Sequence, residues 1–101
     1  MRVLVREPID QPLQLKEIEG TIPELQELVG GFIEIIRMTE DICCICNEEG
    51  TSQGLEKNFY YDPLGWITGT CIFTSTDNQE LTSLTDEQIG HISEYIGFPV
   101  I

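Results

Sequence analysis

At 101 residues, 41% hydrophobic and 8% aromatic, the chain has the size of one domain spanning 1–101, with enough apolar material for a modest core. Eighteen acidic side chains against five basic ones leave a net charge of −13 and a pI near 4.1. That field repels nucleic acid and anionic membranes while attracting basic protein surfaces, and no run of about 18 apolar residues is present to span a bilayer.

Arg2-Val3-Leu4-Val5-Arg6 is short, β-branched and apolar at its centre, which predicts a strand with charged ends. The same stretch is too short for a signal peptide and turns polar at once, which points to the cytoplasm. Glu7 to Pro12 carries two prolines and an Asp and predicts a loop. Leu13 to Glu19 reads as the second arm of an antiparallel hairpin. Ile18 falls out of phase with Leu13 and Leu15, so a bulge or strand end is expected near Lys16-Glu17.

Thr21 opens a helix, with Glu24 at the spacing of a capping box and Pro23 tolerated in the first turn. Ile22, Leu25, Leu28 and Val29 share one side over about two turns, so packing must hold this helix. Gly30-Gly31 suits a left-handed cap followed by a sharp turn. Phe32 to Met38 then predicts a strand. Ile42 to Asn47 predicts a central strand covered on both faces, because its apolar run is nearly continuous.

Glu48-Glu49-Gly50 is a turn, and Thr51 to Gly65 predicts an irregular excursion with a helical turn. Trp66 to Ser75 reads as one strand, in which Gly69 marks a bulge or a close approach to the backbone. After a turn at 76–79, Thr85 and Gln88 form a capping box for the last helix. Ile89, Ile92, Tyr95 and Ile96 make its buried stripe, Gln88 faces outward and Gly97 ends it. The sum is an α+β fold: an antiparallel-rich sheet of about five strands with two short helices on one face.

Cys43, Cys44, Cys46 and Cys71 do not have zinc spacing, and in a strand Cys43 faces away from Cys44 and Cys46. They read as small buried hydrophobes in a reducing compartment, and neither a metal nor a cofactor is expected. His91, the only histidine, has no Ser or Cys at motif spacing and reads as a surface or rim residue. No pair of carboxylates stands out, and Val29-Gly30-Gly31 precedes a strand, which rules out an anion hole at a helix N-terminus. The expectation is a protein that is not an enzyme.

Binding is better supported. Asn47, Glu48, Asn58, Thr68 and Thr70 supply polar groups near Gly50, Gly54 and Gly69, while Phe59, Tyr60, Tyr61 and Trp66 supply stacking faces. The candidate ligand-binding residues are Asn47, Glu48, Asn58, Tyr60, Trp66, Thr68, Gly69 and Thr70. A phosphate-rich ligand would require the cations Arg2, Arg6, Arg37 and Lys57 to cluster.

Val3-Leu4-Val5-x-Glu7-Pro8, Leu25-Gln26-x-Leu28-Val29-Gly30-Gly31-x-Ile33-Glu34, Cys46-Asn47-Glu48-Glu49-Gly50, Gly54-Leu55, Asn58, Ile67-x-Gly69-Thr70 and Leu84-Thr85-Asp86-Glu87-Gln88 together resemble a small domain-of-unknown-function family. That family is carried by bacteriophages, plasmids and conjugative elements. Its members often read Gly-Leu-Pro-x-Asn-Arg, where this chain has Gly54-Leu55-Glu56-Lys57-Asn58-Phe59 and so lacks the Arg. The resemblance implies a mobile-element accessory protein acting against host defences. Two functions follow as expectations: sequestration of a small, nucleotide-derived immune signal, or an acidic DNA mimic that docks on a host DNA-binding or defence protein. A small sheet with unpaired edges can also pair with a second copy.

Overall fold

The computed structural model describes residues 1–101, which form eight strands and two helices. In chain order these are β1 (Arg2–Arg6), β2 (Gln14–Glu17), α1 (Ile22–Val29), β3 (Ile33–Arg37), β4 (Ile42–Asn47), β5 (Lys57–Tyr61), β6 (Gly65–Thr68), β7 (Cys71–Asp77), β8 (Glu80–Thr82) and α2 (Asp86–Ile96). The main sheet runs β2-β1-β7-β4-β3 with every pair antiparallel, and β8 pairs with the far half of β7. β5 and β6 form a separate two-stranded sheet. The fold is α+β, and no helix is long and apolar enough to cross a membrane.

The sheet is covered on both faces, by a different device on each. Side chains alternate along a strand, so Val3, Val5, Ile45 and Ile72 point one way and pack under Leu25 and Val29 of α1. Leu4, Cys44, Cys46 and Phe73 point the other way, under Ile92 of α2 and under Phe59 and Ile67 of the β5–β6 hairpin. The helices therefore lie on opposite faces, not on one. All six residues of β4 are buried, and an apolar run on both faces needs two covers. Full burial of Leu25 and Val29 contributes about 1.5–3 kcal/mol each. That packing holds an eight-residue helix which would not persist alone.

Both helix starts follow from their local sequence. Thr21 Oγ1 accepts the Glu24 N–H at 3.4 Å, while the Glu24 carboxylate reaches back past the cap to accept the Gly20 N–H at 2.7 Å. At α2 the box is reciprocal: Thr85 Oγ1 accepts from Gln88 N at 3.1 Å and Gln88 Oε1 accepts from Thr85 N at 2.9 Å. Gly30 ends α1 at φ 78°, a left-handed position where a β-carbon is disfavoured.

Several expectations are corrected. Of the bulge or strand end expected near Lys16-Glu17, the strand end is what occurs: β1 and β2 pair in one unbroken register that stops at Glu17, and Ile18 beyond it packs on the α1 face. The excursion at 51–65 contains β5, which pairs with β6 as a hairpin. The strand expected over 66–75 is broken at Gly69, whose φ of 78° turns the chain from β6 into β7. β8 lies beyond a two-residue turn at Asn78 and Gln79, both at positive φ as a hairpin turn matched to strand twist requires. Gln88 is buried, because its Nε2 donates to Asp41 and to Ser75 Oγ at 2.9–3.1 Å.

The two sheet edges differ. Leu13 and Leu15 donate to Pro99 O and Ile101 O, and Ile101 donates back to Leu13 O, so the C-terminal residues close the β2 side. β3 pairs with β4 alone and leaves its outer edge unpaired.

Candidate ligand-binding cleft

Arg6 ends β1 and points to the α2 face of the sheet, where the hairpin packs. It is 2% exposed, and Lys, Arg, Asp and Glu are rarely that buried without an opposite charge. No carboxylate lies within 4.0 Å of it; the two ion pairs of the chain join the N-terminus to Glu17 and Arg2 to Asp86. The guanidinium is instead held by neutral groups. Nε donates to Gln11 O at 2.8 Å, and Nη1 donates to Asn58 O at 2.8 Å and to Asn58 Oδ1 at 3.0 Å. The Phe98 ring lies against it, 4.4 Å from its central carbon to the ring centroid, at cation–π distance. Burial lowers the Arg6 pKa from its usual 12.5, against the pull of Cys71 and Asp10, and an arginine stays charged through such a shift.

Asn58 makes this arrangement rigid. Its Nδ2 donates to Arg6 O and to Gly69 O, both at 2.8 Å, so one amide ties β1, β5 and the turn after β6 together. Gly97 closes α2 in the left-handed region, and Ser93 Oγ donates to Phe98 O at 2.8 Å, which turns the Phe98 ring back over Arg6. Tyr60 and Trp66 face each other across the β5–β6 pair, edge to face at 5.6 Å. Tyr95 of α2 sets its ring 6.5 Å from Phe59 and donates its hydroxyl to Tyr60 O at 3.4 Å.

These parts surround an open cleft of about 430 Å³, with Arg6 on its wall, Asp10 also lining it, and Tyr60, Trp66, Tyr95 and Phe98 as aromatic walls. Nη2 of Arg6 makes no hydrogen bond to the protein, and no side-chain polar atom sealed from solvent lacks a partner, so Nη2 keeps a small contact with solvent. The result is a buried cation with no ion-pair partner and one free donor nitrogen, in a cleft walled by aromatic rings. Such a site can accept an oxyanion attached to a planar group.

The eight residues expected to bind ligand fall into three places. Asn58, Tyr60 and Trp66 belong to the Arg6 cleft. Asn47, Glu48 and Thr68 line a recess of about 70 Å³ that Trp66 also borders, room for roughly two waters at about 30 Å³ each. Asn47 is spent on the fold there: Oδ1 accepts from Glu49 N at 2.8 Å, and Nδ2 donates to Val29 O and Gln53 Oε1. A β-carbon on Gly31 would come within 2.8 Å of that Nδ2, which explains the second glycine after α1.

Gly69 and Thr70 lie in a third place, a groove of about 410 Å³ bordered by Glu7, Glu27 and Glu56. The Thr70 hydroxyl lies 3.0 Å and 3.1 Å from the Glu7 carboxylate oxygens, as a donor to that carboxylate. Some of the quoted family-like residues (Glu7-Pro8, Leu28 to Gly30, Leu55, Gly69-Thr70) border this groove.

Sequence reasoning missed Arg6, Tyr95 and Phe98 as cleft residues. Arg6 read as a charged strand end, and the signal that could have flagged it is the lack of any carboxylate at cross-strand spacing. Among the cations, Arg2 pairs with Asp86 and Arg37 donates to Glu40 O. Arg6 and Lys57 are the two near the hairpin, and Lys57 Nζ lies 5.1 Å from the Trp66 ring centroid.

The thiols are all free and buried, with Cys43 on the α1 side of β4 and Cys44, Cys46 and Cys71 in the opposite core. Burial pushes Cys46 up to about 12 and raises Cys43; a bond to Cys71 and burial hold Cys44 well above the usual thiol range. Protonated thiols are poor nucleophiles and poor metal ligands. His91 is exposed on the wall of another cleft of about 420 Å³, beside Asp41, Tyr61 and Tyr95.

No curated protein and no solved structure matches this chain. Residues 1–97 match the family described as Domain of unknown function (DUF3846), and the chain belongs to that family.

Proposed function

We propose that this is a non-enzymatic binding protein of a bacteriophage or other mobile element, which sequesters a small, nucleotide-derived host immune signal in the Arg6 cleft. The observation that carries the reading is a buried guanidinium with no ion-pair partner and no hydrogen bond at Nη2, in a cleft that Trp66 and Tyr60 also line. Base stacking on an aromatic ring contributes about 1–3 kcal/mol and tolerates any base. The mobile-element setting rests on the resemblance of the family-like motifs.

Trp66 is the only tryptophan and is half exposed in the cleft wall, so its fluorescence reports occupancy. Titration with a panel of signalling nucleotides should quench or shift that emission, with matching heat in a calorimeter. Silence of both signals up to millimolar ligand would end this reading.

A second reading is favoured by a different observation. Every carboxylate except Glu24 is exposed, and among the side-chain cations only Arg2 is ion-paired, so the acidic surface is uncompensated. That surface suits an acidic mimic of DNA docking on a basic host protein. Its affinity would collapse with added salt, whereas stacking in the cleft would persist.

A further inference from the structure

Resting on the cleft reading above, we propose that the ligand carries one oxyanion charge on a planar ring, and that the cleft discriminates against polyanions. The bonding of Arg6 sets the first half of this. Its Nε and both Nη1 hydrogens are spent on Gln11 and Asn58, and only Nη2 is left. Bidentate recognition of phosphate uses two guanidinium nitrogens side by side. Here only Nη2 is free, so the two-nitrogen fork is closed, and the two hydrogens left sit on a single atom, enough for one anionic group and short of what a polyphosphate needs.

The second half comes from the charges around it. Asp10 lines the same cleft, exposed and outside ion-pair distance of Arg6, so a second negative charge on the ligand would meet a carboxylate. Lys57 does not line the cleft; it sits against the Trp66 ring, where it strengthens that wall without offering a donor inside. The net charge of −13 adds a long-range penalty that grows with each ligand charge. A ring with one phosphodiester or one carboxylate satisfies Nη2 and avoids these costs. A nucleoside triphosphate does not.

Calorimetry on the full chain at fixed ionic strength tests this with four probes: a 3′,5′-cyclic mononucleotide, the 5′-monophosphate and 5′-triphosphate of the same nucleoside, and an indole carboxylate. The cyclic nucleotide or the indole carboxylate should bind tightest, and which of the two does so identifies the source of the oxyanion. The triphosphate should bind about tenfold more weakly or worse, given a like charge several ångströms away at intermediate dielectric. Asp10→Asn should narrow that gap by about three- to fivefold. Asp10 has a φ of 53°, which Asn also tolerates, so this variant keeps its backbone. Arg6→Met should abolish binding of every probe, and if it fails to fold, Asp10→Asn decides alone.

A triphosphate that binds the unaltered protein as tightly as the singly charged probes would overturn the charge inference and leave the cleft reading standing. An unchanged gap in Asp10→Asn would do the same. No heat and no Trp66 response with any of the four would overturn both.

Discussion

Asp41 shows how one side chain ties stability to pH. Thr39 Oγ1 donates to its Oδ1 at 2.9 Å and Gln88 Nε2 to its Oδ2 at 3.0 Å. Those bonds, led by the one from Thr39, hold the carboxyl below its ordinary value of 3.8 against a small opposing effect of burial. A carboxylate whose pKa is lower in the folded state stabilises the fold above its unfolded value and loses that contribution as pH falls through the folded one. Asp41→Asn should therefore be less stable than the unaltered protein above about pH 5, with the difference closing in acid. Urea unfolding from neutral pH downward measures it, and a difference that stays constant with pH would refute the assignment. At this same scale the sequence was least informative about the cleft. Arg6 and Asn58 are 52 positions apart, and nothing in either neighbourhood shows that one amide will satisfy one guanidinium.

The elements that could be read from the chain are those whose signals lie within one turn. The Thr85–Gln88 box is of this kind, and Thr85→Ala should cost about 1 kcal/mol of unfolding free energy, measured by urea denaturation. A loss well under half of that would mean that Gln88, through its bonds to Asp41 and Ser75, anchors α2 without the cap. The diglycine stop of α1 and the doubly covered β4 were legible for the same local reason. β5 was not. Its register shifts between Lys57 and Phe59, so Asn58 and Phe59 are both buried and strand alternation is lost where it would have revealed the element. β8 has three residues, too few to show any period.

For the molecule as a whole, charge is the dominant unbalanced quantity. Eighteen carboxylates crowd one small surface with two ion pairs to offset them, so the folded state repels itself. Added sodium chloride screens that repulsion, and the melting temperature should rise between about 0.02 M and 0.2 M salt, where the screening length falls below roughly 10 Å. Scanning calorimetry reads the shift; a flat or falling melting temperature would show that unfolding relieves no repulsion. In the charge selectivity we propose, the same acidic field limits what the cleft would hold, with Arg6 attracting an oxyanion in reach of Nη2 while the rest of the surface pushes further negative charge away.

Composition, capping and alternation, all properties of neighbours in the chain, were sufficient to specify an α+β domain with an antiparallel sheet, a buried β4 and two capped helices. The placement of α1 and α2 on opposite faces came from the need to cover apolar side chains on both sides of β1, β4 and β7, which is a property of the assembled sheet. The cleft is likewise tertiary. Arg6, Asn58, Trp66 and Phe98 come from four separate segments, and they meet because desolvating a cation forces it to find donors' partners wherever packing brings carbonyls and an aromatic ring within reach.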